Sequence, residues 1–142
     1  ISMVDSTNKP VSLYDIKANY TVVIFWDEDC GHCQKEVPKL KELYDSKLKA
    51  MGVQVYAVAT EEKFKEWKKF IVDHQLNWIN VHQTDDYKRA VTKKIYDIIS
   101  TPYIYLLDEN KIIKAKHIDV EQLGNLIDAF EKERKEKESK KK

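Results

Sequence analysis

The chain has 142 residues, 42% apolar and 35% charged, which is enough for one buried core and too short for a second. Lysine and arginine number 25 against 24 aspartate and glutamate, so the net charge of +1 excludes the global basic field of a nucleic-acid binder. Three glycines, three prolines and two cysteines exclude a collagen-like chain, a low-complexity linker and a cysteine-rich secreted scaffold.

Asn8-Lys9-Pro10 is a turn signal ahead of Val11-Ser12-Leu13. The run Tyr20–Trp26 is β-branched and aromatic and apolar on both faces, the pattern of a strand at the middle of a sheet covered by helices on each side. Over residues 31–50, Val37, Leu40, Leu43, Tyr44 and Leu48 recur at spacings of three and four, which predicts an amphipathic helix. Pro38 sits inside it and should kink it, and Gly52 is a stop. Val53–Ala59 reads as a second buried strand. A helix is expected to begin at Thr60, carrying Phe64, Trp67, Phe70, Ile71 and His74 on one side. A short extended piece spans 78–81, and Asp85 or Asp86 caps a helix carrying Ala90, Val91, Ile95 and Ile98. Residues 103–107 and 112–117 flank the turn Asp108-Glu109-Asn110-Lys111 as a hairpin, and Asp119 opens a last helix with Leu123, Leu126, Ile127 and Phe130 inside. Alternation of this kind predicts an α/β fold: a central mixed sheet, parallel strands finished by an antiparallel pair, flanked by helices. Trp67 and Trp78 fit core packing by their spacing.

The expected domain is 1–130. Residues 131–142 hold seven basic and four acidic side chains and read as a frayed helix end passing into a charged, solvated tail, with a basic tether to anionic lipid as the sharper alternative. No apolar run approaches the roughly 18 residues of a membrane span. The chain opens at Ile1 with no charged leader and apolar stretch behind it, as expected of a processed or excised piece.

Cys30-Gly31-His32-Cys33 lies where a buried strand gives way to a helix. Unpaired N–H groups and the dipole at a helix start favour a thiolate over a thiol, so the Cys30 pKa should fall. Gly31 is expected to allow close approach of the sulfurs. Cys33, one turn in, is better shielded and can attack a mixed disulfide on Cys30, which makes Cys30 the exposed nucleophile and Cys33 the resolving thiol. A protonated His32 would add to the stabilisation, while Asp27, Glu28 and Asp29 oppose it. Two other readings compete. Half a zinc site would need about four ligands, and His74, His82 and His117 stand alone. A purely structural disulfide here would close too short a loop to stabilise much.

The sequence resembles thioredoxin-fold proteins, and most of all the TlpA/ResA-like thiol-disulfide oxidoreductases of the bacterial cell envelope. The residues that carry the resemblance are Lys9-Pro10-Val11-Ser12-Leu13, Phe25-Trp26 followed by three residues and then Cys30-Gly31-His32-Cys33, Pro38 five residues after the second cysteine, and Thr101-Pro102 before the strand at 103–107. The likeness covers about Lys9 to Phe130. It implies a cis bond at Thr101–Pro102 facing the cysteines, with Trp26, Gly31, Thr101 and Pro102 meeting the substrate. It also implies a glutamate after the second buried strand, Glu61 or by spacing Glu62, as proton acceptor for Cys33. Helix-start carboxylates favourable to the dipole are the plainer account of that pair.

The sequence departs from the family at Asp29, where an aromatic residue is usual, and at Ile24, where thioredoxin has a buried aspartate. Gly31-His32 resembles protein disulfide isomerase. The function implied is electron exchange with cysteines of other proteins, without nucleotide, flavin or metal. A redox partner protein, which the family ties to the membrane, and a periplasmic or envelope location go with it. The alternative is a thioredoxin-fold module that binds a peptide with little or no turnover. A thiol peroxidase is disfavoured, because no Thr-x-x-Cys with a nearby preceding proline is present.

Overall fold

The computed structural model describes residues 2–61, 63–83, 85–95 and 101–140. Strands β1 (Ser2–Asp5), β2 (Pro10–Ser12), β3 (Tyr20–Trp26), β4 (Val53–Ala59), β5 (Ile79–His82), β6 (Tyr103–Asp108) and β7 (Ile113–Lys116) form one sheet in the order β2-β1-β5-β4-β3-β6-β7. The helices are α1 (Gly31–Leu43), α2 (Phe64–Asp73), α3 (Asp86–Ile95) and α4 (Val120–Lys140). β3, β4 and β5 run parallel, while β6 is antiparallel to β3 and β7 to β6.

The period of two along each central strand divides the core. Val22, Ile24 and Trp26 of β3 share one face with Val55, Ala57, Ile104 and Leu106. Val37 and Leu40 of α1, Leu123 and Ile127 of α4 and Trp67 of α2 cover that face. Val23 and Phe25 point the other way, to Tyr56, Val58, Tyr103 and Tyr105, closed by Met3 and Leu13. All seven residues of β3 are buried, as a strand apolar on both faces requires. Each fully buried Leu or Ile contributes roughly 1.5–3 kcal/mol relative to exposure. Trp67 and Trp78 are both core residues.

The structure corrects several sequence expectations. The β1–β2 hairpin was not foreseen. Its strands are three and four residues long, and Ser2 and Asp5 interrupt the apolar pattern. α1 does not run unbroken to residue 50; a π-helical turn, Tyr44–Leu48, follows it, with the Lys49 N–H on the Tyr44 carbonyl at 2.9 Å. The second helix starts at Phe64, not Thr60, because Thr60 is held elsewhere. Its N–H and hydroxyl both donate to the Trp26 carbonyl, at 3.0 and 3.2 Å, tying the ends of β4 and β3 together. The strand expected at 112–117 is confined to Ile113–Lys116.

The caps fall where side-chain chemistry puts them. Asp85 accepts the Lys88 N–H at 2.9 Å, and Asp119 and Gln122 exchange reciprocal bonds at the start of α4. The charge run beyond residue 130 continues α4 as helix to Lys140, and its first residue, Glu131, is buried against Arg134. Ile98, expected on the third helix, lies outside the described residues.

Candidate active site

Parallel β3, β4 and β5 bring their C-terminal ends, Trp26, Ala59 and His82, to one edge of the sheet. β6 runs the opposite way and pairs Tyr103 with Phe25, so the segment just before it arrives at that same edge. Cys30 and Thr101-Pro102 meet there for this reason.

Cys30 is the N-cap of α1. Its Sγ accepts the Cys33 N–H at 3.4 Å and donates to the Thr101 carbonyl at 3.1 Å. The Thr101–Pro102 peptide bond is cis. Cys33 is fully buried and accepts the Asp27 N–H at 3.5 Å, whereas Cys30 is half-buried; both are free thiols.

The two sulfurs differ in acidity. Burial pushes the Cys30 thiol up, but hydrogen bonds from the Thr101 side chain and from the N–H groups of Cys33 and His32 outweigh it and leave Cys30 below the ordinary cysteine value. Burial pushes the Cys33 thiol up to about 12; the Asp27 N–H opposes this, and the hydrogen bond and charge of Cys30 add to it. One sulfur is therefore primed to ionise and its neighbour is held protonated.

The acidic run ahead of the cysteines is organised. Asp29 is ion-paired with Lys63, and its N–H donates to Asp27 at 3.0 Å. Glu28 is 6% exposed, and its Oε1 has no hydrogen-bond partner among the described residues. Burial holds its carboxyl above the usual range, and the charges of Asp27 and Asp29 raise it further. The Glu28 carbonyl accepts the Gln34 side chain at 3.0 Å, which fastens the run to α1.

The remaining expected residues are placed unevenly. His32 is exposed and borders a groove of about 390 Å³ together with Glu36, Thr101, Pro102 and His117. A Cβ added at Gly31 would meet nothing within 4 Å beyond its chain neighbours and its own helix backbone. Trp26, expected to face substrate, is 1% exposed and packs on Phe70 with ring centroids 5.1 Å apart, so it supports the site from beneath. Glu62 lies outside the described residues. Glu61 is ion-paired with Lys93 of α3 at 2.7 Å.

Two acidic residues near the cysteines escaped the sequence reading. Glu28 was treated only as one member of a charged run, and its burial follows from the tertiary packing. Glu36 has a signal in the sequence: it stands four residues after His32 and so shares its helix face. Its Oε2 accepts the Val120 N–H at 3.2 Å, joining α1 to the start of α4 beside the groove.

The sequence profile of the AhpC/TSA family matches residues 1–116. The chain is 30% identical over 111 residues to the thiol-disulfide oxidoreductase ResA of Bacillus thuringiensis, covering 78% of this chain and 61% of that protein. It thus spans about three-fifths of the length of that relative. Among solved structures, a domain of a possible thiol-disulfide isomerase from Cytophaga hutchinsonii matches with a TM-score of 0.83 and 42% identity, over 95% of this chain and 90% of that one. The thioredoxin domain of a thiol-disulfide oxidoreductase from Bacteroides vulgatus matches with a TM-score of 0.81 and 33% identity, over 92% and 91%. The α/β sheet with its flanking helices is a thioredoxin-like fold.

Proposed function

The chain belongs to the AhpC/TSA family, and from that premise we propose that it is a thiol-disulfide oxidoreductase exchanging a Cys30–Cys33 dithiol with disulfides of other proteins. The observation that carries this reading is the split acidity of two thiols one helical turn apart at the mouth of α1.

In the reducing direction the Cys30 thiolate attacks a substrate disulfide. The S–S bond breaks, one substrate sulfur leaves as a thiolate that takes up a proton, and Cys30 holds the other in a mixed disulfide. Cys33 then gives up its proton and attacks the Cys30 Sγ. The second substrate sulfur departs, the Cys30–Cys33 disulfide forms, and two electrons have passed to the substrate. Capture of Cys30 removes the charge and hydrogen bond that help keep Cys33 protonated, so resolution is favoured only after capture. The oxidising direction is the same sequence reversed.

Glu62 is proposed as the base for Cys33, and an unchanged resolution rate in Glu62→Gln would remove it from that role. Gly31, Thr101 and Pro102 are proposed to meet an extended substrate segment; the open space around Gly31 and the groove beside Thr101 support this. His32 is proposed to favour the Cys30 thiolate from the exposed rim. The proposed partners are cysteine-containing proteins and a redox donor or acceptor protein at the membrane. The similarity to ResA supports an extracytoplasmic location. None of the helices in the described residues is long and apolar enough to cross a membrane.

Reduction of insulin disulfides by dithiothreitol tests the reading. The native chain should accelerate it, Cys30→Ser should abolish the acceleration, and Cys33→Ser should accumulate a mixed disulfide visible by mass. No acceleration by the native chain, and so no loss in Cys30→Ser, would instead indicate a peptide-binding module.

A further inference from the structure

The run Asp27-Glu28-Asp29 leads straight into Cys30, and three carboxylates should disfavour a further negative charge there. A counter-charge reaches the run from another loop. Lys63, between β4 and α2, is ion-paired with Asp29 across 34 residues of sequence. The Asp29 hydrogen bond, opposed by desolvation and aided by the charges of Asp29, Asp27 and Glu28, holds its ammonium above the ordinary lysine value. Lys63 therefore faces all three carboxylates.

The backbone position of Lys63 gives no local reason for a lysine. It is the N-cap residue of α2, yet its side chain makes no cap. A cation there also meets the positive end of the helix dipole. The side chain turns instead to the cysteine loop, and the loop that carries it is held in place. Thr60 bonds to the Trp26 carbonyl, Glu61 is ion-paired with Lys93 of α3 at 2.7 Å, and the Lys63 carbonyl accepts the Trp67 N–H at 2.8 Å. Asp29 passes the tether on, because its N–H donates to the Asp27 side chain at 3.0 Å. The Asp27 carbonyl accepts the Cys30 N–H at 3.1 Å, and the Asp27 N–H donates to the Cys33 Sγ at 3.5 Å. The turn that Lys63 holds thus carries a bond to each cysteine.

We propose that Lys63 is a positioning residue for Cys30, acting through Asp29: it binds the carboxylate next to the nucleophile and keeps the acidic run from disfavouring the thiolate. This rests on the thiol-exchange reading of the site. Both partners are exposed, and an exposed ion pair adds little to stability, so the role is electrostatic. The other titratable groups about the site are His32 and Glu36 on α1 and His117 across the groove.

The test is an absorbance titration of the Cys30 thiolate in the reduced full chain at low salt. Lys63→Met should raise the midpoint by about half a pH unit, a roughly threefold loss of thiolate at neutral pH. Lys63→Arg keeps the charge and should titrate like the native chain. Adding Asp29→Asn to Lys63→Met should bring the midpoint most of the way back. Lys68→Met removes the same charge from a lysine that lies 4.5 Å over the Phe64 ring, and should leave the midpoint in place. Denaturant unfolding should be the same in Lys63→Met as in the native chain, which separates the role from a structural one. An unmoved midpoint in Lys63→Met, an equal rise in Lys68→Met or Lys63→Arg, or no recovery on adding Asp29→Asn would each overturn the proposal. The titration needs no substrate. Insulin turnover by the native chain with an unmoved midpoint overturns the role of Lys63 and not the exchange reading; no turnover with a raised midpoint does the reverse.

Discussion

The Cys30 thiol donates to the Thr101 carbonyl at 3.1 Å across 71 residues of sequence. Neither residue is near the other in the chain. They meet because β3 and β6 are antiparallel neighbours, so the end of one strand and the beginning of the other share an edge. This contact joins the helix cap, which acidifies the sulfur, to the segment proposed to hold the substrate.

The unequal thiols predict unequal labelling. Iodoacetamide at neutral pH should modify Cys30 and leave Cys33, since a thiol pushed up to about 12 carries almost no thiolate there. Peptide mass mapping reads this directly, and equal labelling of both cysteines would contradict the assigned acidities.

Thr101 lowers the Cys30 pKa through its side chain as well as meeting the thiol with its carbonyl. Thr101→Val keeps the shape and removes the hydroxyl, so the Cys30 thiolate should appear at higher pH in an absorbance titration. Thr101→Ser should restore most of the native value. A Val variant that titrates like the native chain would remove the hydroxyl from the account.

Glu28 is a pH-dependent burden on the fold. Burial first, then Asp27 and Asp29, raise its folded pKa above the 4.5 of an unfolded glutamate. Its favourable contribution is complete below that unfolded value and is lost as pH rises through the raised folded one. Glu28→Gln should therefore melt higher than the native chain at pH 7, and the gap should close near pH 4. A Gln variant no more stable at pH 7 would show that the carboxylate has found a compensating partner.

Tyr20 and Cys33 work in the alkaline range. Burial, then the hydrogen bond and charge of Glu131, push Tyr20 up to about 12, against 10.0 ordinarily, and Cys33 reaches about 12 against 9.0. Both folded values are raised, so the stability these groups confer is intact below the unfolded pKa and drains away between roughly pH 9 and 12. Tyr20→Phe should flatten the loss of stability across that window. Glu131→Gln should lower the Tyr20 pKa in a phenolate titration, since burial remains and the anion is gone.

Gly52 ends the first helical segment with φ at +77°, and an added Cβ would stand 2.6 Å from the Asn19 side-chain nitrogen. Asn19 is itself fixed, donating its side chain to the Met51 carbonyl at 3.1 Å and its N–H to the Gly52 carbonyl at 3.0 Å. Gly52→Ala should cost about 1–2 kcal/mol in denaturant unfolding.

What the sequence determined by itself is local. Strands β3 and β4 were legible because consecutive apolar, β-branched residues leave no other element that buries both faces. α1 and α4 were legible from their three-and-four spacing, the stop at Gly52 from the conformation only glycine adopts cheaply, and the Cys30–Cys33 pair from its place at a strand-to-helix junction. Each of these rests on interactions within a few residues, which spacing records.

The tertiary structure alone decided the rest. The β1–β2 hairpin has too few apolar residues to announce itself and is fixed by pairing with β5. Thr60 looked like a helix start and instead bonds to Trp26 of the neighbouring strand. Trp26 looked like a substrate contact and is buried, while Glu28, one member of a charged run, is buried two residues before Cys30. Glu131 looked like the first residue of a solvated tail and is buried, where its hydrogen bond and charge raise the pKa of Tyr20 on β3. In every case the deciding partner lies on another element, and which elements meet is set by strand order and direction, a property of the whole sheet that no local window of sequence contains.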